Sequence, residues 1–195
     1  MRIFLSILIL IFSFQSWTKA DDIRDFEIEG LSIGDSALKF FSEAELQKNI
    51  RKNQYQGSDG KFYDTQIRKN NFDIYDDITL VFKKGDKNFD IHSIGGIIYY
   101  GNQTKKCNSD YQKILSEIEN IFPNHSKDVM ENQKHPQDPS GKSLVNSALI
   151  NLKSGATAEV ACYSWSDEIN LEDYVLVAIN SKQFENWLIN YYNSN

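Results

Sequence analysis

Cysteine, proline, histidine and methionine are all scarce in this 195-residue sequence, at two, three, three and two copies. Two cysteines leave no Cys-x-x-Cys redox pair and no cysteine-rich metal framework. His92, His125 and His135 show no His-x-x-x-His spacing, so the simplest helical zinc signature is missing too. Basic charge is also in short supply: 21 Lys and Arg stand against 27 Asp and Glu, a net charge of −6. Lys83-Lys84 and Lys105-Lys106 are isolated pairs, so nucleic acid and anionic membranes are excluded as expected partners. A long hydrophobic run is absent as well. The apolar stretch from Ile3 to Phe14 has about 12 residues, short of the roughly 20 needed to cross a bilayer as a helix.

That short apolar stretch has another reading. Met1-Arg2 gives a positive end, Ile3 to Phe14 an apolar middle, and Thr18-Lys19-Ala20 small residues where a signal peptidase would cut. The expectation is a signal peptide over residues 1–20 and a mature domain over 21–195, periplasmic or secreted, with no transmembrane segment left in it. Loss of Arg2 and Lys19 would leave 19 basic against 27 acidic residues, a net charge of −8. The remaining length fits one domain with a core of its own.

Along that domain the patterns alternate between strand and helix. Phe26-Glu27-Ile28-Glu29 reads as a short half-buried strand. Ser42-Glu43-Ala44-Glu45 is a capping box, with Phe41 and Leu46 placed as its hydrophobic staple, so a helix begins at Glu43. Residues 49–64 are polar and read as a loop. Two β-rich runs, from Phe72 to Phe82 and from Phe89 to Tyr100, form a hairpin about residues 83–88, and Gly95-Gly96 marks a bulge or bend. Cys107, Tyr111, Ile114, Leu115, Ile118, Ile121 and Phe122 share one helical face, ended by Pro123. Residues 124–143 form a long polar connection. Strands follow from Leu144 to Leu152, Thr157 to Trp165 and Tyr174 to Ile179. A last helix is capped by Ser181, with Phe184, Trp187, Leu188 and Tyr191 as its stripe. The expected fold is α+β, a two-layer sandwich in which a mainly antiparallel sheet of about five strands carries two amphipathic helices on one face.

In that layout Cys107, on the helix stripe, and Cys162, on the inward parity of its strand, point into the same layer, and a Cys107–Cys162 disulfide is expected in an oxidising compartment. The alternative is two separate buried thiols. Tyr163 and Trp165 have the opposite parity to Cys162 and stand on the sheet face away from the helices, where Tyr75 is expected to join them. Such aromatics can stack on a sugar or an extended peptide.

Other motifs are weaker. Ile33-Gly34-Asp35-Ser36-Ala37-Leu38 resembles the first block of the GDSL esterases, which would make Ser36 a nucleophile. Those enzymes take their base from Asp-x-x-His, and the residues three before His92, His125 and His135 are Phe89, Phe122 and Asn132, so Asp35 or Ser36 reads instead as a helix cap. Residues 138–143 end like a P-loop, but Pro136 stands where its first glycine belongs. Asp167, Glu168, Asn170, Glu172 and Asp173 lack calcium-loop spacing and read as a solvated turn. Asn102 and Asn124 head glycosylation triplets that only a eukaryotic cell would use.

The segment Phe26-x-Ile28-x-Gly30-x-Ser32-Ile33-Gly34-Asp35-Ser36, followed by Phe40-Phe41-Ser42-Glu43, resembles a group of uncharacterised exported proteins of AT-rich marine alphaproteobacteria. The resemblance implies a periplasmic address and no functional residues. The function expected is a non-enzymatic binding or envelope-associated module, without cofactor or metal, whose protein or small ligand meets the sheet face or residues 124–143. The alternative is a secreted hydrolase with His135 as base and Ser36 or Ser140 as nucleophile. Composition and pattern leave the oligomeric state open.

Overall fold

The computed structural model describes residues 23–51, 55, 58–69 and 71–194. The expected signal peptide and its cleavage point lie outside them. Seven strands form one antiparallel sheet in the order β1-β2-β3-β7-β6-β5-β4. They are β1 (Phe62–Arg68), β2 (Asp77–Lys83), β3 (Ser93–Gly101), β4 (His125–Lys134), β5 (Leu144–Leu152), β6 (Thr157–Ser164) and β7 (Asp173–Asn180). Three helices accompany them: α1 (Glu43–Lys48), α2 (Thr104–Ile121) and α3 (Lys182–Ser194). Among the described residues no helix is long and apolar enough to cross a membrane.

The expected α+β architecture with an antiparallel sheet is therefore present, with two more strands than anticipated. β1 falls where the sequence has no sustained period, because alternate residues Asp64, Gln66 and Arg68 are polar and find partners distant in sequence. β4 occupies half of the polar stretch read as a connection. It is an edge strand in which nine of ten residues are exposed, so no buried face writes a period of two into it. Phe26 to Glu29, expected to be a strand, instead ends in a tight turn closed by a single bridge between Ile28 and Leu31, with Glu29 and Gly30 both at positive φ.

One sheet face holds the main core. Ile78, Leu80, Phe82, Val160, Cys162, Val175 and Val177 are nearly or wholly inaccessible and pack with Cys107, Tyr111, Leu115 and Ile118 of α2. Cys107 and Cys162 stand at disulfide distance, with Sγ atoms 2.07 Å and Cα atoms 5.8 Å apart, tying α2 to β6. The Ser42 hydroxyl accepts from the Glu45 amide at 3.2 Å and caps α1, while Phe41 and Leu46 are buried in the same core. Ser181 caps α3 by accepting from the Phe184 amide at 3.3 Å.

The helices do not share a face. Phe184 and Trp187 of α3 pack with Phe62 and Val81. Val81 alternates with the core residues Leu80 and Phe82, so α3 covers the side of the sheet away from α2. Gly95-Gly96 is not a bulge either: both pair regularly with Thr79 and Ile78, and the shift in β3 comes later, between Tyr99 and Gly101. The missing side chain at Gly96 makes room for the ring of Tyr75.

Candidate functional site

The α3 side of the sheet differs in character from the core side. Tyr99, Tyr174 and Tyr163 lie opposite one another on β3, β7 and β6 and present their rings in a row. Tyr163 and Tyr174 stack with ring centres 4.5 Å apart, and Tyr174 meets Tyr99 edge-on at 6.0 Å. Beyond β6 the row continues through Trp165, nearly parallel to Tyr163 at 6.5 Å, and His135, whose ring lies 4.4 Å from Trp165. Every ring in the row is partly exposed. The Trp165 indole N–H is buried and has no acceptor.

Polar groups fix both ends of this row. At the β3 end, the Tyr99 hydroxyl donates to Asp77 at 2.9 Å, and the Arg68 guanidinium lies 5.0 Å from the Tyr99 ring centre. Arg68 and Gln66 also donate to Asp77, which is only 2% exposed. Burial alone would raise the Asp77 carboxyl, but the bonds from Arg68, Gln66 and Tyr99 outweigh it and hold it below the usual carboxylate range. At the other end, the Trp165 amide donates to Asp173 at 2.7 Å, and Asp173 also accepts from Thr104 at the start of α2.

The segment that ends like a P-loop supports the same end. Asp138 accepts from the Ser143 amide and hydroxyl, the Ser140 amide and the Ser166 hydroxyl, so its carboxylate closes the turn on itself. Hydrogen bonds from Ser143 first and Ser140 next hold its carboxyl well below the ordinary range. The His135 amide donates to the Ser143 carbonyl at 3.0 Å and the Ser166 amide to the Ser143 hydroxyl at 2.9 Å. The turn thus fixes His135 beside Trp165 and is filled by its own side chains where a phosphate would sit. His135 Nδ1 accepts from the Gln137 amide, and burial holds its imidazole below its usual value.

Tyr163 and Trp165 therefore stand together, on the face away from Cys162 and α2. Tyr75 does not join them. Its ring packs into the main core against Gly96, on the opposite side of the sheet, because the chain before β2 crosses over the core face. The surface is also not free of helices, since α3 shares it. Ser36 and His135 are held at opposite ends of the sheet: Ser36 bridges Asp90, before the start of β3, whereas His135 follows the strand end whose neighbours lead to Tyr99 near the end of β3. The Ser36 hydroxyl caps a single 3-10 turn by accepting from the Leu38 amide and donates to the Asn88 carbonyl at 2.5 Å. The Ser140 hydroxyl accepts from the Lys142 amide. Among the described residues no group of three or more His, Cys, Asp or Glu side chains is arranged to hold a metal ion.

Sequence pattern did not single out Tyr99, Tyr174 or Glu159. The first two match the parity of Tyr163 only once the strand order is known. Glu159, two residues before Ala161 and four before Tyr163 on the same face of β6, alternates with core residues and so reads as outward-facing, yet α3 reaches that part of the sheet through Glu185. Comparison with protein-family models, with curated proteins and with solved structures finds no match for this chain.

Proposed function

We propose that this chain is an exported, periplasmic or secreted, non-enzymatic binding module whose ligand meets the aromatic row Tyr99-Tyr174-Tyr163-Trp165-His135. The observation that carries this reading is the row itself: five partly exposed rings in succession, braced by Asp77 at one end and by Asp138 and Asp173 at the other. Rings held in this way offer flat apolar area at little cost in side-chain freedom, which suits stacking on sugars or extended peptides. The unpaired Trp165 N–H adds a donor within the row. Export is supported by the N-terminal pattern, the resemblance over residues 26–43 and a cysteine pair of the kind found in oxidising compartments.

The indole N–H resonances of Trp165 and Trp187 give a direct test. In spectra of the mature protein titrated with short oligosaccharides and extended peptides, the Trp165 signal is expected to move while that of Trp187, bonded to Asp59, stays in place. Ligands that move neither signal, or only that of Trp187, would overturn the assignment.

A further inference from the structure

The aromatic row does not stop at Tyr99. That residue also lines a cavity of about 430 Å³, walled by the rings of Tyr99, Phe72 and Tyr75 and by the charged groups of Arg68, Lys69, Asp76 and Glu172. A second cavity, of about 250 Å³, adjoins it: the two share Lys69 and Phe72, and the second adds Phe40, Asn71 and Asp73. Row and cavities form one track that turns around the end of the sheet, from Tyr99 on the α3 side to Tyr75 on the core side. Contacts within the chain fix its walls. Glu29 accepts from the amides of Asp73, Ile74 and Tyr75 at 2.8, 2.8 and 3.1 Å and so holds the segment that carries the Phe72 and Tyr75 rings. The Asp76 amide donates to the Ile97 carbonyl at 2.9 Å, and the Tyr99 amide to Asp76 Oδ2 at 2.8 Å. Lys69 is paired with Glu45 at 3.0 Å, its ammonium 4.4 Å from the ring centre of Phe41. Walls set in advance leave a ligand little ordering to offset, and the larger cavity is of the size that holds small molecules.

The charges of the larger cavity balance: Arg68 and Lys69 stand against Asp76 and Glu172. A ligand of strong charge, of either sign, would meet repulsion from one of these pairs, so the cavity favours a neutral one. Its polar groups are open to that ligand. Arg68, with a side chain 66% exposed, commits Nε and Nη2 to Asp77 but not Nη1; Asp76 gives only Oδ2 to the Tyr99 amide; and Glu172 is exposed, with no partner among the described residues. Donors and acceptors interleaved with rings suit a molecule whose hydroxyls both donate and accept and whose skeleton has apolar C–H faces, which describes a pyranose. An extended peptide fits less well, because its backbone needs a sheet edge. The row crosses β3, β7 and β6, inner strands paired on both sides. The outer side of β1 is taken as well, by bonds from the Arg51 amide to the Asp64 carbonyl at 3.1 Å and from the Gln66 amide to the Asn49 carbonyl at 3.2 Å. We propose that the two cavities are sugar subsites and that the ligand is a neutral oligosaccharide running from Trp165 past Tyr99 into them, an inference that rests on the reading of this face as the binding surface.

The test titrates the mature protein, at about pH 6.5, with neutral tetrasaccharides of β-linked N-acetylglucosamine and glucose, with the cationic glucosamine tetramer and with the anionic galacturonate tetramer. Ring resonances of Phe72 and Tyr75 report on the cavities and the indole N–H of Trp165 on the row. A neutral tetramer is expected to move both sets along one saturation curve and to bind at least about tenfold tighter than either charged one. Glu172→Ala, a change at an exposed side chain, should weaken that binding about tenfold with the native spectrum retained. Charged tetramers that bind as tightly as the neutral ones, or undiminished binding by Glu172→Ala protein, would overturn the proposal. So would cavity signals that stay in place, or that move only with an extended proline-serine octapeptide. If Trp165 still answers sugars or peptides in those cases, the binding face stands and only the sugar subsites fall; if neither set moves with any probe, both readings fall.

Discussion

The ring of Tyr75 lies so close to Gly96 of β3 that a Cβ added to the glycine would come within 2.3 Å of Cδ1 and 2.5 Å of Cε1. Gly96→Ala is therefore expected to destabilise the fold by about 1–3 kcal/mol, because the ring body and not a flexible tip must give way. Gly95→Ala meets chiefly the Thr79 hydroxyl, at 2.7 Å, which can turn aside, and should cost less. Urea unfolding of the two variants checks the order; an unaffected Gly96→Ala protein would mean that Tyr75 is not seated there.

The cross-link between Cys107 and Cys162 spans 55 positions and joins α2 to the sheet. Reduction, or joint replacement by alanine, should lower stability by about 2–5 kcal/mol. Intact mass of protein from its native source, before and after thiol labelling, should show a chain beginning at Asp21, two hydrogens light and unlabelled until reduced. A full-length mass would count against export, and labelling without reduction against the bridge.

Ionisation of Glu159 gives stability a definite pH dependence. Its folded pKa, near 7, lies above the ordinary 4.5, so the folded state holds the proton longer and stability falls as pH rises between those values. Glu159→Gln removes the penalty: the variant should match wild type at about pH 4 and exceed it by about 1–3 kcal/mol at about pH 8. Denaturant midpoints across that range are the measurement, and parallel curves would place the carboxyl in contact with water.

His135 reports on the packing of the row. Burial beside Trp165 and Tyr163 depresses its pKa. Trp165→Ala should admit water and let that pKa rise toward the ordinary imidazole value, read from ring proton shifts during a pH titration. No change would mean that Trp165 does not shield the imidazole.

Elements with one buried side were legible in the sequence. The α2 stripe, the caps at Ser42 and Ser181, the β2–β3 hairpin and the three final strands all write their period directly, and the facing of Cys107 toward Cys162 follows from two such periods. β1 and β4 were not legible, for opposite reasons: one buries polar residues whose partners lie elsewhere in the chain, and the other buries almost nothing. The placement of α3 depends on Phe62 and Val81, residues that gain meaning only after β1 is found. For the candidate site, parity alone was enough to pair Tyr163 with Trp165. It failed for Tyr75, whose segment precedes its strand, and for Glu159, whose burial depends on a helix from the far end of the chain.

The exposed edge strand β4 bears on self-association. Its outer backbone groups are free to template another strand, and Val129 and Met130 offer apolar surface at 45% and 55% exposure. Immediately after them the register with β5 shifts, and Asn132 turns at positive φ. Lys127, Asp128, Glu131 and Lys134 surround the same stretch with charge. An approaching copy would find six consecutive regular positions, charged at Lys127 and Asp128, before the ladder breaks, too polar a seam to form a dry zipper. The sheet can thus remain unclosed at this border without seeding fibrils.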